Sequence, residues 1–286
     1  MRRHELTDAE WELLAPLIPR AGRGRPRAED RRVINGMVYK IRTGVSWRDL
    51  PERYGPWKSV YTRFRRYAID GVFTRALQQI QAQADAAGDI DWLVQIDSTI
   101  VRAHQHAAAT GRKGGNIGRT KRNDHALGRS RGGLTTKIHL ACDGRGRPLA
   151  VLLTPGQRHD GICARPLLER IRVPRTGLGR PRCRPDHVIA DKAYSSRGFR
   201  AYLRRRGIGH TIPEKRDQKR HRHNRGRRGG RPTGFDSKIY CRRNTVERCF
   251  NRLKGFRGIA TRYEKTATSY EAAVTLASLL LWARSV

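Results

Sequence analysis

Trp92-Leu93-Val94-Gln95-Ile96-Asp97-Ser98-Thr99-Ile100-Val101 is the stretch on which the fold turns. It is rich in apolar and β-branched residues, and its alternation puts Val94 and Ile96 on one face and Gln95, Asp97 and Thr99 on the other. An acid in mid-strand among apolar neighbours is costly unless it is paired or holds a cation. Asp97 is therefore the first candidate functional residue.

Downstream, 134–142 and 148–154 read as two further strands, joined through the turn residues Asp143-Gly144-Arg145-Gly146. A helix is expected over 160–171 and a short apolar strand over 188–190, running into Asp191. Then come a helix over 196–206, a strand over 208–212, a helix over 243–256 and a last apolar helix over 270–284. Three antiparallel strands feeding parallel ones, with helices around them, predict an α/β fold. It is a mixed sheet with flanking helices of the ribonuclease-H-like type. Asp191 sits where an apolar strand ends, the place where α/β sheets position ligands.

Upstream of the strand the period is helical. Thr7-Asp8-Ala9-Glu10 is a capping-box pattern, followed by Trp11, Leu13, Leu14, Leu17 and Ile18 at helical spacing up to Pro19. Further helices are expected over 29–42, 57–69 and 74–86, after a Gly/Arg/Pro loop at 20–27. The helix over 57–69 carries Lys58, Arg63, Arg65 and Arg66 among Trp57, Tyr61, Phe64 and Tyr67, the composition of a helix-turn-helix-like DNA reader; the alternative is a basic helical bundle that touches only a partner protein. A small all-α domain over 1–88, with Lys58, Arg63 and Arg66 touching DNA, is expected to precede a catalytic domain over 89–286. Two basic insertions, near 102–133 and 214–239, interrupt the latter, and 214–233 reads as a loop.

The charge balance names the partner class. Lys and Arg total 61 against 25 acids, for a net charge of +36. Such a chain repels itself unless a polyanion neutralises it, and phosphate neutralisation drives most nucleic-acid affinity. Residues 1–5 lack the apolar core of a secretion signal, and 272–283 is too short and too polar to span a bilayer. A cytoplasmic, nucleoid-associated protein is expected, with no membrane partner. The five cysteines form no Cys-x-x-Cys pair, which argues against a zinc ribbon and leaves small buried thiols. His104 with His106, and His221 with His223, lack cysteine partners and read as phosphate contacts rather than zinc ligands.

Glu247 is the third acid in a conspicuous place. Tyr240, Arg243, Glu247 and Lys254 follow one another by three, four and seven residues, which aligns them on one stripe of a helix that starts early enough. Val246, Cys249, Phe250 and Leu253 form the adjacent apolar stripe. Clustered carboxylates suit phosphodiester cleavage by two metal ions, since hard Mg²⁺ takes oxygen ligands. Each acid also has a structural alternative: an arginine bridge for Asp97, a helix N-cap for Asp191, and a surface pair with Arg243 for Glu247. Asp160 is a weaker candidate at the start of a helix.

The spacing of Tyr240, Arg243, Glu247 and Lys254 resembles the Tyr-x2-Arg-x3-Glu-x6-Lys signature of bacterial insertion-sequence DDE transposases of the IS-five type. So do Gln95-Ile96-Asp97-Ser98-Thr99, the run from Gly128 to Lys137, Ala190-Asp191-Lys192-Ala193-Tyr194, Asn244-Thr245-Val246-Glu247-Arg248 and, in the helical part, Gly44-Val45-Ser46-Trp47-Arg48-Asp49-Leu50-Pro51. Ala193 stands where such proteins often have glycine. The resemblance implies Asp97, Asp191 and Glu247 as catalytic ligands of Mg²⁺, with Mn²⁺ as a substitute. It also implies cleavage at transposon ends and attack of the 3′-hydroxyls on target DNA. Lys254 and Arg243 would hold phosphates or a flipped base, Tyr240 would stack on a base or bond a phosphate, and Arg129, Arg131 and Lys137 would touch DNA. Double-stranded DNA (inverted repeats and target) and a homodimer or higher assembly on it are the expected partners. Two other functions remain open. One is a nuclease of the same fold, which would cut without joining; the other is a non-catalytic DNA-binding regulator.

Overall fold

The computed structural model describes residues 4–19, 29–108, 125–130 and 133–285. The loop at 20–27, most of the first basic insertion and Arg131 lie outside the described residues.

The chain begins with helices. Helix α1 (Asp8–Leu14) starts at Thr7, whose hydroxyl accepts from the Glu10 amide while Glu10 accepts from the Thr7 amide. Helix α2 (Asp30–Thr43) buries Val33, Ile34, Met37, Val38 and Ile41, and ends at Gly44 with φ of 76°, a left-handed conformation that glycine adopts without strain. Helices α3 (Trp57–Ile69) and α4 (Val72–Ala86) follow. Arg63 of α3 does not point to solvent. It is buried and donates to Asp30 of α2 at 2.9 Å, so its charge is consumed in holding α2 to α3. Lys58 and Arg66 are exposed on α3.

The sheet is built on β1 (Leu93–Ala103). A short helix α5 (Gln105–Ala108) and strand β2 (Gly128–Ser130) lead to β3 (Gly133–Cys142) and β4 (Pro148–Pro155). Strand β3 pairs antiparallel with β1, β2 and β4. After α6 (Asp160–Glu169), strand β5 (His187–Ala190) joins the other edge of β1 in parallel. Helix α7 (Arg197–Arg205) then returns to β6 (Gly209–Thr211), parallel to β5. The resulting order β4-β3-β1-β5-β6, three antiparallel strands and then two parallel ones, is that of a ribonuclease-H-like sheet.

The second basic segment is not a plain loop. It forms helix α8 (Arg216–Asn224), in which Gln218 reaches back to the Lys215 amide at 3.1 Å. Helices α9 (Ser237–Tyr240), α10 (Asn244–Lys254) and α11 (Arg257–Ala260), strand β7 (Thr261–Arg262) and helix α12 (Ala267–Ala283) complete the chain.

Helix α12 buries residues on nearly every face, as a central helix must. It packs against α3, α4 and β4. The Pro148 carbonyl accepts from Trp282 Nε1 at 2.6 Å and from Gln81 Nε2 at 3.1 Å, tying α12 and α4 to the start of β4. One hydrophobic cluster therefore runs without interruption from Leu6 to Trp282. A buried ion pair, Lys40 of α2 with Glu264 at 3.1 Å, joins α2 to the segment between β7 and α12. No helix among the described residues is long and apolar enough to cross a membrane.

Candidate active site

Register brings the first two acids together. In the parallel pairing of β1 and β5, Ile96 lies opposite Ala190. Asp97 and Asp191 are each one residue further on, so they stand level at the carboxyl end of β5 and on the same face of the sheet. Their charges are close enough to interact: burial pushes the Asp97 carboxyl up, and the neighbouring Asp191 adds to the rise. The Ser98 amide at 2.8 Å and Arg243 oppose it.

The third acid arrives on α10. Val246, Cys249, Phe250 and Leu253 are buried, and the helix packs them against β1 and β3. This leaves Glu247 half exposed at the rim, its side chain 49% accessible against 17% for Asp97. Arg243 joins the two acids. Its Nη2 donates to Asp97 Oδ2 and its Nη1 to Glu247 Oε1, both at 2.8 Å. Asp191 accepts the Ala193 amide at 2.8 Å and so caps the short 3₁₀ turn Lys192–Tyr194. Thus the arginine bridge, the N-cap and the Arg243–Glu247 pair that the residues individually allow are all present, at one locus.

The donor set is all carboxylate, the chemistry that suits a hard divalent cation. Two of its members already share one cationic group. Among the described residues no three acids, histidines or cysteines are packed closely enough to form a metal-binding group.

Two family models match the chain. "Transposase DDE domain" covers residues 90–282, and "Putative transposase of IS4/5 family" covers 6–77. The chain belongs to the IS4/5-family DDE transposases. Curated relatives agree. The chain is 34% identical over 151 residues, 53% of its length, to the whole of the "Putative transposase for insertion sequence element IS6501" of Brucella ovis. It is 32% identical over 164 residues, 57% of its length and 69% of the relative's, to the "Putative transposase for insertion sequence element IS402" of Burkholderia cepacia. It is also 40% identical over 117 residues, 40% of its length and 90% of the relative's, to the "Uncharacterized protein y4sN" of Sinorhizobium fredii. No solved structure matches.

The other residues singled out in the transposase sequence are placed less uniformly. Tyr240 stands near all three acids and Arg243, with its ring against Phe235 and its hydroxyl pushed up by burial. Lys254 is two helical turns beyond Glu247, about 10 Å along α10, and is not gathered into the site. Arg129 is exposed on β2. Lys137 is not a surface contact. It is buried, donating to Asp160 Oδ1 at 2.9 Å and to the Arg158 carbonyl at 2.8 Å, because its register on β3 points it at the start of α6. His104 packs against Tyr263 and His106.

Several residues gain importance only in three dimensions. Ser98 donates its hydroxyl to Asp160 Oδ1 at 2.8 Å, directly behind Asp97. Burial works against the charge on Asp160, but Lys137 and Ser98 outweigh it and hold the carboxyl below its ordinary range. Gln95 lies two residues before Asp97 on the same face, fully buried, with neither amide atom hydrogen-bonded. Its place among apolar neighbours in the strand was a readable signal; the Ser98–Asp160 link, 62 residues apart in sequence, was not.

Proposed function

We propose that the protein cleaves the ends of its insertion element and joins them to target DNA in a metal-dependent reaction, with Asp97, Asp191 and Glu247 as the metal ligands. The parallel register that levels Asp97 with Asp191 carries this reading, together with the Arg243 guanidinium that links Glu247 to Asp97. Mg²⁺, or Mn²⁺ in its place, would supply activation of the attacking oxygen and stabilisation of the leaving oxygen.

The protein's own groups hold this site in place. The sheet fixes one carboxylate within β1 and the other just past the end of β5, and the Ser98 and Ala193 amides orient them. Arg243 and Tyr240 flank the acids, where they contact phosphate or base near the cut. Lys58 and Arg66 on α3, Arg129, Arg131 and Lys254 extend the contact surface for double-stranded DNA. Functionally we divide the chain into a helical DNA-binding part, 1–88, and a catalytic part, 89–286, although the two share one core. Joining two ends of one element calls for at least a homodimer on DNA, in the cytoplasm at the nucleoid.

Strand transfer of a pre-cleaved end tests the reading. A transposase gives joined product; a nuclease of this fold gives only cut strands, and a regulator gives neither.

A further inference from the structure

Helix α8 is a helix that its own charges oppose. Lys219 and Arg220 follow Arg216 by three and four residues, and the helix buries no residue. Like charges at these spacings destabilise a helix, and nine residues are too few for one that stands alone.

Gln218 and Glu214 hold it. The Gln218 Oε1 accepts from Ser195 Oγ at 2.7 Å, and its Nε2 donates to the Ser195 carbonyl at 2.8 Å. Glu214 pairs with Arg222. Ser195 is itself buried and accepts from the buried Arg200 at 3.1 Å, so the anchor is part of the core. It is also the residue that ends the 3₁₀ turn capped by Asp191.

A self-repelling helix is thus pinned at the turn that carries a proposed catalytic acid, with its cationic side chains outward. The sequence immediately after it, Arg225 to Arg231, adds four more exposed arginines. We infer that α8 and the arginines after it form a binding surface for the phosphate backbone of duplex DNA. The Gln218–Ser195 anchor sets that surface at a fixed distance from Asp191. The inference rests on the proposed function only in taking DNA as the partner.

The test is equilibrium binding of the full-length protein to a labelled DNA duplex of arbitrary sequence, by fluorescence anisotropy across a salt series. Two double variants remove equal charge from exposed sites: Lys219→Gln with Arg220→Gln on α8, and Arg204→Gln with Arg205→Gln at the end of α7. Loss of phosphate contacts lowers the slope of log affinity against log salt by about 0.9 per contact. We expect the α8 variant to lose between about one and two units of slope, and the α7 variant to match the wild type. Equal slopes in all three proteins, or equal losses in both variants, would overturn the assignment. Melting curves confirm that each variant is folded. Because the assay needs no cleavage, failure of the catalytic reading (no joining by a protein that binds normally) gives a different result.

Discussion

Arg243 donates to Asp97 at 2.8 Å across 146 residues of chain, and the same guanidinium reaches Glu247 one helical turn along. This contact ties the start of α10 to the central strand, while Val246 and Leu253 bury the helix's apolar face. Arg243→Ala leaves Asp97 half-buried beside Asp191 without its cation. In EDTA the variant should lose about 1 kcal/mol of stability, since the pair is partly exposed. Arg243→Lys should recover only part, because an ammonium lacks the fork that spans two carboxylates. Thermal melts measure both, and an unchanged midpoint for Arg243→Ala would show that the bridge does not contribute.

His139 predicts the acid limb of the stability curve. Burial holds its imidazole down to about 4, although Asp160 pulls the other way and Lys137 reinforces the burial. Its Nε2 side pairs with Thr154 at 2.9 Å. The unfolded chain takes up a proton near 6.5 while the native ring stays neutral. The contribution is therefore fully present above about 6.5 and is lost as pH falls toward about 4, up to ~3 kcal/mol. His139→Gln should flatten the denaturant midpoint across that window. A variant whose midpoint falls as steeply as the wild type would exclude His139 as the cause.

Gly258 tests whether the N-terminal helices are structurally bound to the catalytic sheet. A Cβ there would meet the Ile41 Cα and carbonyl oxygen at 3.0 Å, both backbone atoms that cannot rotate away. Gly258→Ala should push α11 from α2 and cost about 1–3 kcal/mol. Calorimetry should show one transition shifted as a whole. A separate transition for the first 88 residues would contradict the shared core.

Arg147 is fully buried between Asp143, Asp89 and the Trp282 ring, and donates to Asp143 Oδ2 through Nη2 at 2.7 Å. Arg147→Ala strands the buried Asp143, whose own burial already pushes its carboxyl up. The expected loss is about 3–5 kcal/mol, read from urea unfolding. Removing both partners, with Asp143→Asn added, should restore part of it.

Much of this architecture is legible in the residues. The capping box at Thr7, the helix over Trp57–Ile69 and the central strand follow from short-range patterns that tertiary contacts reinforce. The proximity of Asp97 and Asp191 follows once the two strands are paired in parallel. Helix α8 was hidden because hydrophobic periodicity cannot reveal a helix with no apolar face. Strands β2 and β7 are too short to carry a period. Arg63 reads as a DNA contact because a basic residue shows its charge in sequence but not its partner, and the family resemblance, which implied a DNA contact at Lys137, does not show its partner either. Asp30 and Asp160 lie 33 and 23 residues away.

The most direct measurement is cleavage and joining of DNA bearing the element's own ends, with and without Mg²⁺, for the wild type beside Glu247→Gln. The account predicts metal-dependent joined product from the wild type, and end-binding without any product from the variant. Equal joining by both proteins, or end-binding with no cutting by either, would contradict it.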